Sequence, residues 1–368
     1  MKKRILSALL SAAMVATLLV GCGGSAATTA EAPAEEAKTE EAAPAEAATE
    51  AVAEATADAA AEAAANGEVI TVGMAQVGHE SDWRMANTNN YQDVFSAANG
   101  YELQFVDCDN DNAAQIEAVR NFITQEVDYI CLAPIETAGW DAVLQEAQDA
   151  GIPVIIVDRT VDADKSLYVT SLGCDMVAEG ETAGKCLEEV LGGADAKIYV
   201  IEGTVGSSAA LGRTEGFNNI AANHSEWTII DSQSGDFTQD GGQEVMESFI
   251  KSNPDFNVVV CQNDNEAYGA MDAMDAAGIT YGKDGDVIII SYDATHDGLQ
   301  YTLDDKISIN VECNPLQAAV AEQVIKDLQA GNTVAERTVV PDEAFVAPSL
   351  TSSIATVMSQ EVLDGRAY

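Results

Sequence analysis

The segment VGHESDWR (77–84) places acidic, basic, hydroxyl and aromatic side chains together directly after the apolar run EVITVGMAQ (68–76). Similar polar residues follow other apolar runs, so carboxylates, guanidinium groups and one amide recur where strands are predicted to end. Such groups donate and accept hydrogen bonds, and a tryptophan ring offers a flat apolar face. The candidate ligand-binding residues are Glu80, Ser81, Asp82, Trp83, Arg84, Asp158, Arg159, Arg213, Asn263 and Asp293, with Glu312 as a weaker candidate.

This set of side chains suits a ligand that carries many hydroxyl groups. A hydroxyl can donate to a carboxylate and accept from an arginine or an asparagine. Charge-assisted hydrogen bonds of this kind contribute about 1.5–3 kcal/mol each when water is excluded. The C–H-rich face of a sugar ring is apolar and can pack against Trp83. We therefore predict that the ligand is a monosaccharide.

Paired carboxylates also occur in glycosidases, where one of the two must donate a proton. In this sequence the carboxylates are accompanied by Arg84, Arg159 and Arg213. An adjacent guanidinium keeps a carboxylate ionised, which suits a hydrogen-bond acceptor better than a proton donor. We therefore expect a binding protein and not an enzyme, and we expect no cofactor.

One stretch imitates a calcium loop. DCDNDNAAQ (107–115) has aspartates at alternate positions, but asparagine and alanine occupy the sixth and twelfth positions, where the loop needs glycine and glutamate. Aspartate and asparagine are also common turn and capping residues between a strand and a helix. The histidines have no metal-ligand spacing, so no metal site is predicted. The residues concerned are Asp107, Asp109, Asp111, His79, His224 and His296.

The elements that must position the candidate residues alternate along residues 68–368. Short apolar runs typical of buried strands, ending with TVVPDEAFV (338–346), alternate with amphipathic helical stretches such as TAGWDAVLQEAQDAG (137–151). This alternation is typical of parallel sheets covered by helices on both faces. About five strands precede residue 173 and about five follow it. We predict an α/β protein with two doubly wound parallel sheets, in which ligands bind beyond the carboxyl ends of the strands.

The N-terminus predicts export. Three basic residues precede an apolar run from Ile5 to Val20, and Gly21 and Cys22 follow it. The segment resembles a bacterial lipoprotein signal, with residues 1–21 removed and Cys22 lipidated. An ordinary signal peptide or a single anchoring helix is the alternative, although the run is shorter than the ~20 residues of a membrane span. Residues 22–67 are rich in alanine and glutamate without aromatic residues, which predicts a disordered tether. The protein would be extracytoplasmic, anchored to the outer face of the cell membrane.

The charge balance limits the possible partners. Residues 68–368 contain 13 basic and 51 acidic residues, a net charge near −38. Such a surface excludes nucleic acid and adhesion to anionic lipid as binding partners. The even number of cysteines in this region leaves disulfides possible in an exported protein, although we favour buried thiols. These cysteines are Cys108, Cys131, Cys174, Cys186, Cys261 and Cys313.

Residues 68–368 resemble the periplasmic sugar-binding proteins of the ribose/galactose-binding type, and among them those that bind galactofuranose. The resemblance implies a type I periplasmic binding protein whose two lobes are joined by a three-strand hinge. The lobes would comprise residues 68–173 with about 314–345, and residues 174–313 with about 346–368. The motifs that carry the resemblance are VGHESDWRMANTN, IEAVRNFITQEVDYICLAP, TAGWDAVLQEA, PVIIVDRTVDADKSLY, EGTVGSSAALGR, SQSGDFTQDGGQEVMESFI, QNDNEAYGAM and YDATHDG.

The resemblance also implies roles for the candidate residues. Residues 80–84 would line the sugar pocket, and Asp158 with Arg159 would bind ring hydroxyls. Arg213 and Asn263 would contribute from the second lobe, and Asp293 from near the hinge. Asp82 stands where a small residue, usually glycine, is expected, so it could add a contact or alter which sugar fits.

The implied partner is the permease of an ABC transporter, to which a monomeric binding protein delivers its sugar. A receptor that presents its closed form to a membrane sensor kinase or chemoreceptor remains the alternative. Both functions depend on closure of the lobes, so the residues alone do not separate them.

Overall fold

The computed structural model of this protein describes residues 69–368. The predicted signal peptide, the lipidation site Cys22 and the tether lie outside the described residues. Within residues 69–368, no helix combines the length and the apolar character that crossing a membrane would require.

Strands and helices alternate through most of this region, as predicted. The strands are β1 (Ile70–Gln76), β2 (Tyr101–Asp107), β3 (Tyr129–Leu132), β4 (Val154–Val157), β5 (Thr170–Gly173), β6 (Ala196–Glu202), β7 (Trp227–Ser234), β8 (Val258–Cys261), β9 (Ile288–Asp293), β10 (Ile309–Glu312), β11 (Arg337–Val339), β12 (Ala344–Val346) and β13 (Thr356–Val357). The α-helices are α1 (Asp82–Val94), α2 (Asn112–Thr124), α3 (Asp141–Asp149), α4 (Met176–Leu191), α5 (Ser208–Ala221), α6 (Gln239–Ser252), α7 (Asp264–Ala277), α8 (His296–Leu303), α9 (Ala318–Gln329) and α10 (Gln360–Asp364).

The strands form two sheets. The first has the order β11-β5-β4-β3-β1-β2, and the second has the order β13-β12-β10-β9-β8-β6-β7. All pairs in the first sheet are parallel, and in the second only the β10–β12 pair is antiparallel. The predicted α/β class with two parallel-dominated sheets is confirmed.

Central strands of both sheets are short and fully buried. Examples are β3 (YICL), β4 (VIIV) and β8 (VVVC), in which all four residues are buried. Continuous runs of β-branched and apolar residues suit strands that are covered by helices on both faces. One apolar core surrounds the first sheet, and two further clusters cover the second.

Short polar side chains begin many of the helices. Ser81 accepts from the backbone N–H of Arg84 at the start of α1, and Asn263 accepts from that of Glu266 at the start of α7. Each cap satisfies one of the N–H groups that a helix leaves without a partner at its N-terminus. Because these caps directly follow the ends of strands, they also fix where the first helical side chains point.

The predicted strand TVVPDEAFV is wrong as a single element. It forms two strands, since β11 pairs with β5 in the first sheet and β12 pairs with β10 in the second. Pro341 lies between them, and proline lacks the N–H that would continue a strand ladder. The change of sheet therefore occurs at residues 340–343.

The chain passes between the two sheets at three places in the described region. These connections follow β5, β10 and β11. After β10 the chain returns to the first sheet, where the apolar side chains of α9 join its core. A cavity lies beside the connection that follows β10, where Cys313 is one of its lining residues.

Candidate functional site

Residues at the carboxyl ends of strands in both sheets border one small cavity. All of the predicted binding residues line it except Asp82 and the weaker candidate Glu312. Its lining residues are Glu80, Ser81, Trp83, Arg84, Asp158, Arg159, Met176, Ala209, Arg213, Phe237, Asn263, Asp293 and Cys313.

Arg84 forms hydrogen bonds with three side chains on the side of the cavity next to the first sheet. Its Nη2 donates to Asp158 Oδ2 over 2.8 Å, and its Nε donates to Glu80 Oε1 over 3.0 Å. Its Nη1 donates to Gln76 Oε1 over 3.1 Å. All of these side chains are buried, so the guanidinium is held on three sides and both carboxylates keep a fixed direction.

Arg159 lies beside this ion pair without a close carboxylate partner. Its nearest carboxylate contacts are 3.8 Å to Glu80 and 3.9 Å to Asp158, and its Nη1 donates to the carbonyl of Ile135 over 3.1 Å. Glu80 Oε2 is buried and has no hydrogen-bond partner within residues 69–368. The cavity wall therefore offers unused guanidinium donors and an unused carboxylate acceptor to a ligand.

Electrostatics keep these groups charged. Burial alone would raise the pKa of Glu80, but the guanidiniums of Arg84 and Arg159 outweigh burial and hold that pKa below its ordinary value. Burial, together with the charge of Arg84, lowers the pKa of Arg159 to about 10. At neutral pH this wall therefore presents the ionised carboxylate of Glu80 and the charged guanidinium of Arg159, as predicted for a hydroxyl-rich ligand.

Arg213 likewise bonds to two carboxylates, on the side of the cavity next to the second sheet. Its Nε donates to Glu179 Oε2 over 2.7 Å, and its Nη2 donates to Asp293 Oδ1 over 3.0 Å. Its Nη1 donates to the carbonyl of Gln262. Burial raises the pKa of Asp293 to about 6, although Arg213 offsets part of this effect. The two sheets thus present two separate arginine–carboxylate groups to one cavity.

The two carboxylates at the strand ends share an uncommon backbone conformation. Asp158 directly follows β4 with φ of 64°, and Asp293 ends β9 with φ of 92°. Positive φ is uncommon for a residue with a side chain, although aspartate adopts it more readily than most, and such strained positions tend to cluster at functional sites. At Gly173, where φ is 151°, an added Cβ would overlap the carbonyl of Asp158. A glycine is needed there for β5 to approach this end of β4 so closely.

Two aromatic rings border the cavity, and the sequence indicated only one of them. Trp83 is buried and its indole N–H donates to the carbonyl of Cys313, while the Arg84 guanidinium lies 4.7 Å from the ring centroid. Phe237 extends from the second sheet, and the Arg159 guanidinium lies 5.3 Å from its ring. An added Cβ at Gly203 would overlap the Phe237 ring, so this glycine makes room for it.

The backbone holds Phe237 in place. Its N–H donates to Glu266 Oε1 over 3.0 Å, and its carbonyl accepts from Asn263 Nδ2 over 2.9 Å. Asn263 therefore both caps α7 and fixes Phe237. The motif SGDFTQDGG (234–242) is visible in the sequence, but no pattern within it distinguishes the phenylalanine from a core residue.

Asp82 lies at the rim and does not line the cavity. Its backbone N–H donates to Asn265 Oδ1 over 3.1 Å, and Asn265 Nδ2 donates to Asp82 Oδ2 over 3.2 Å. These reciprocal bonds join the start of α1, beside the first sheet, to the start of α7, beside the second. Asp82 thus connects the two sides of the structure without facing the ligand cavity.

Glu312 also lies away from the cavity. Its carboxylate accepts from Arg366 and Tyr368 at the C-terminus and from the N–H of Glu343 over 2.8 Å. The C-terminal residues thereby fasten the end of β10 to β12. These bonds occupy both carboxylate oxygens of Glu312, which is not among the residues that line the cavity.

The aspartates that resemble a calcium loop have local partners. Asp111 caps α2 by accepting from the backbone N–H groups of Ala113 and Ala114. Asp107 lies 2.9 Å from His79 Nδ1 and also accepts from the N–H of Asp109. The capping interpretation is confirmed for Asp111.

Residues 72–333 match the family described as the periplasmic binding protein domain. The match covers more than half of the chain. The chain belongs to this family.

Several relatives of this periplasmic binding protein are similar over most of their length. The galactofuranose-binding protein YtfQ of Escherichia coli is 39% identical over 272 residues, which cover 73% of this chain and 85% of YtfQ. A Mycobacterium smegmatis protein solved with β-D-fucofuranose is 44% identical, with a TM-score of 0.73, covering 75% of this chain and 91% of that one. An arabinose ABC transporter component from Shewanella, bound to L-arabinofuranose, is 37% identical with a TM-score of 0.72, covering 75% and 91%. The predicted family membership is confirmed, and this periplasmic binding protein is not an enzyme.

Proposed function

We propose that this periplasmic binding protein captures a monosaccharide in its furanose form between two lobes and delivers it to the permease of an ABC transporter. The observation that carries the proposal is the small cavity between two buried arginine–carboxylate groups, one from each sheet, with an aromatic ring on each side. Hydroxyls would bind the charged groups, and the apolar faces of the sugar would contact Trp83 and Phe237.

The furanose form is supported by the relatives. The three relatives described above are named for or bound to galactofuranose, fucofuranose and arabinofuranose, which differ in their hydroxyls but share the five-membered ring. We propose that the aromatic rings of Trp83 and Phe237 select the ring size of the sugar. The charged groups would select which sugar of that ring size binds.

A thermal-shift series with the purified protein tests this proposal. A ligand that binds only the folded state at 100 times its Kd adds about 2.7 kcal/mol of stability. We expect the melting temperature to rise with furanose sugars and to remain unchanged with disaccharides and amino acids. A rise with amino acids alone would refute the sugar assignment.

We further propose that a lipid on Cys22 tethers the protein to the outer face of the membrane, and that each sheet with its helices forms one lobe of a monomer. Replacing Cys22 with serine would release the protein into the soluble fraction if the lipid is the anchor. Ligand-dependent capture of the permease would support delivery. Capture of a sensor kinase or chemoreceptor instead would assign the protein to sensing.

Replacing Asp82 with glycine should weaken ligand binding modestly without changing which sugar is preferred. The Asp82–Asn265 bonds join the two sides across the cavity but do not line it. The variant keeps the backbone N–H and loses the one side-chain hydrogen bond, which at about 0.5–1.5 kcal/mol corresponds to a Kd increase of roughly 2–13-fold. Stopped-flow kinetics should show that the increase lies mainly in the dissociation rate. A changed order of sugar preference would instead show that Asp82 selects the ligand.

Ligand affinity should fall as the pH is lowered through about 6. The pKa of Asp293 is raised to about 6 by burial, so this carboxylate is ionised above that pH and protonated below it. Protonation removes the charge that pairs with Arg213, and affinity should then fall by up to about tenfold per pH unit. Calorimetric titrations between pH 5 and 8 measure this. The Asp293→Asn variant should bind weakly with a flatter profile, and an equally steep profile would exclude Asp293 as the titrating group.

A further inference from the structure

The three connections between the sheets bring together a cluster of acidic and thiol side chains, of which Cys174, Glu179 and Cys313 are buried. Cys174 lies in the connection after β5, Cys313 follows β10, and the partly buried Asp342 lies between β11 and β12. Glu179 joins them from the first turn of α4. Cys313 and Asp342 are far from Cys174 and Glu179 in the sequence, so no spacing motif could reveal the cluster.

The cluster has the donor atoms of a metal site. One ligand atom from each of Cys174, Glu179 and Cys313 lies within 4.8 Å of the other two, and all three residues are buried. Both cysteines are free thiols. In a tetrahedral zinc site the ligand atoms are roughly 3.5–4 Å apart, so small side-chain movements would bring them into range. Asp342 Oδ1 accepts from the backbone N–H of Asn314, the residue after Cys313, over 3.0 Å, so its carboxylate is nearby and could supply a fourth ligand atom.

Glu179 also has a buried carboxylate oxygen without a hydrogen-bond partner in the described region. Glu179 Oε2 accepts from Arg213, but Glu179 Oε1 is buried and has no hydrogen-bond partner in the described region. A buried carboxylate oxygen without a partner costs free energy, and a bound cation would remove that cost.

We infer that Cys174, Cys313 and Glu179 form a zinc-binding site, with Asp342 as the available fourth ligand. Two sulfur ligands favour zinc over calcium or magnesium, which prefer oxygen. Binding would release the two thiol protons to solvent as the thiolates coordinate the ion. The bound ion would tie the three connections to one another. It would also fix Cys313, whose carbonyl holds the Trp83 indole.

Metal titration of the purified full chain tests this inference. After treatment with a chelator, the protein should take up one zinc ion per chain in competition with a chromophoric chelator. Cobalt in its place should give the near-ultraviolet thiolate-to-cobalt band and strong visible bands of a tetrahedral site. Cys174→Ser and Cys313→Ser should each weaken zinc binding by more than the roughly 10–100-fold that loss of an outer partner costs.

Cys186→Ser is the matched control, because Cys186 is a buried thiol on the same helix as Glu179 but lies outside the cluster. It should leave zinc affinity and the cobalt spectrum unchanged. Unchanged zinc affinity in Cys174→Ser, or the absence of saturable one-to-one binding, would overturn the inference. A native mass two hydrogens lower, with Cys174 and Cys313 joined, would overturn it in favour of a disulfide.

A measurement on the unmodified protein covers the case in which the serine variants do not fold. Zinc should slow alkylation of Cys174 and Cys313 and leave the rate at Cys186 unchanged, as measured by peptide mass spectrometry. Equal rates with and without zinc at all three cysteines would overturn the inference.

Discussion

Replacing Arg84 with alanine should lower the free energy of unfolding by about 3–5 kcal/mol, the usual cost of removing one partner from a buried ion pair. Arg84 is 2% exposed and bonds to both Glu80 and Asp158. Without it, two buried carboxylates lose their main counter-ion. Keeping them ionised in the protein interior then destabilises the folded state. Denaturant unfolding at neutral pH measures the loss.

The matched control is Arg120→Ala. Arg120 forms a close pair with Glu146, but both side chains are about half exposed, so water replaces the lost partner and little change in stability is expected. A small effect at Arg84, similar to that at Arg120, would contradict a tightly buried ion pair.

The effect of Arg84→Ala should also depend on pH in a defined direction. In the native protein the pKa of Glu80 is held low, so its stabilising contribution is present at neutral pH and is lost as the pH falls through that pKa. In the variant, burial without Arg84 favours the protonated form of Glu80. Lowering the pH then removes the free-energy cost of keeping this buried carboxylate ionised. The difference in stability between variant and native protein should therefore shrink as the pH is lowered.

Replacing Asp158 with alanine should weaken sugar binding by at least about 100-fold. Asp158 lines the cavity, and a charge-assisted hydrogen bond is worth about 1.5–3 kcal/mol, or roughly 10–150-fold in Kd. The substitution also removes the carboxylate that holds Arg84 Nη2, so a second contact with the ligand becomes less well placed. Titration calorimetry measures the change.

Two further variants make the Asp158 result specific. Asp158→Asn keeps the size of the side chain and removes its charge, so it should give an intermediate loss. Asp93→Ala removes an exposed aspartate of α1 that does not line the cavity and should leave Kd unchanged. If Asp158→Ala bound sugar as tightly as Asp93→Ala, the cavity would not be the binding site.

Much of this site could be predicted because strand ends are easy to find in the sequence. Polar residues that directly follow buried apolar runs must lie at the carboxyl edges of parallel strands, where cavities form. This reasoning found Asp158 and Asp293, and the structure places both beside the same cavity. The sequence could not reveal the positive φ at these residues, which depends on the surrounding structure.

The placement of Asp82 could not be read from the sequence, because it depends on where α1 begins. Successive helical residues point about 100° apart. With Ser81 as the cap, Trp83, Arg84 and Asn87 lie on the buried face, whereas Asp82 lies on the exposed face. A shift of the helix start by one or two residues would have changed which side chains meet the ligand.

Partners that are distant in the sequence explain the remaining differences. Glu312 is paired with Arg366 from the C-terminus, and Phe237 reaches the cavity from a loop held by Glu266. Neither contact leaves a periodic pattern. The cluster of Cys174, Glu179 and Cys313 also leaves no pattern in the sequence, since only the connections between the sheets bring Cys313 to the other two residues.

Titration calorimetry of the purified protein with ring-locked galactofuranose and galactopyranose derivatives, alongside ribose and arabinose, tests the central claim most directly. The proposed function predicts one-to-one binding of a furanose, at least about tenfold tighter than its pyranose counterpart, as expected if one or two charged hydrogen bonds depend on the ring form. Tighter binding of the pyranose would refute selection of the furanose ring. The absence of binding heat with every monosaccharide would contradict sugar binding by this cavity.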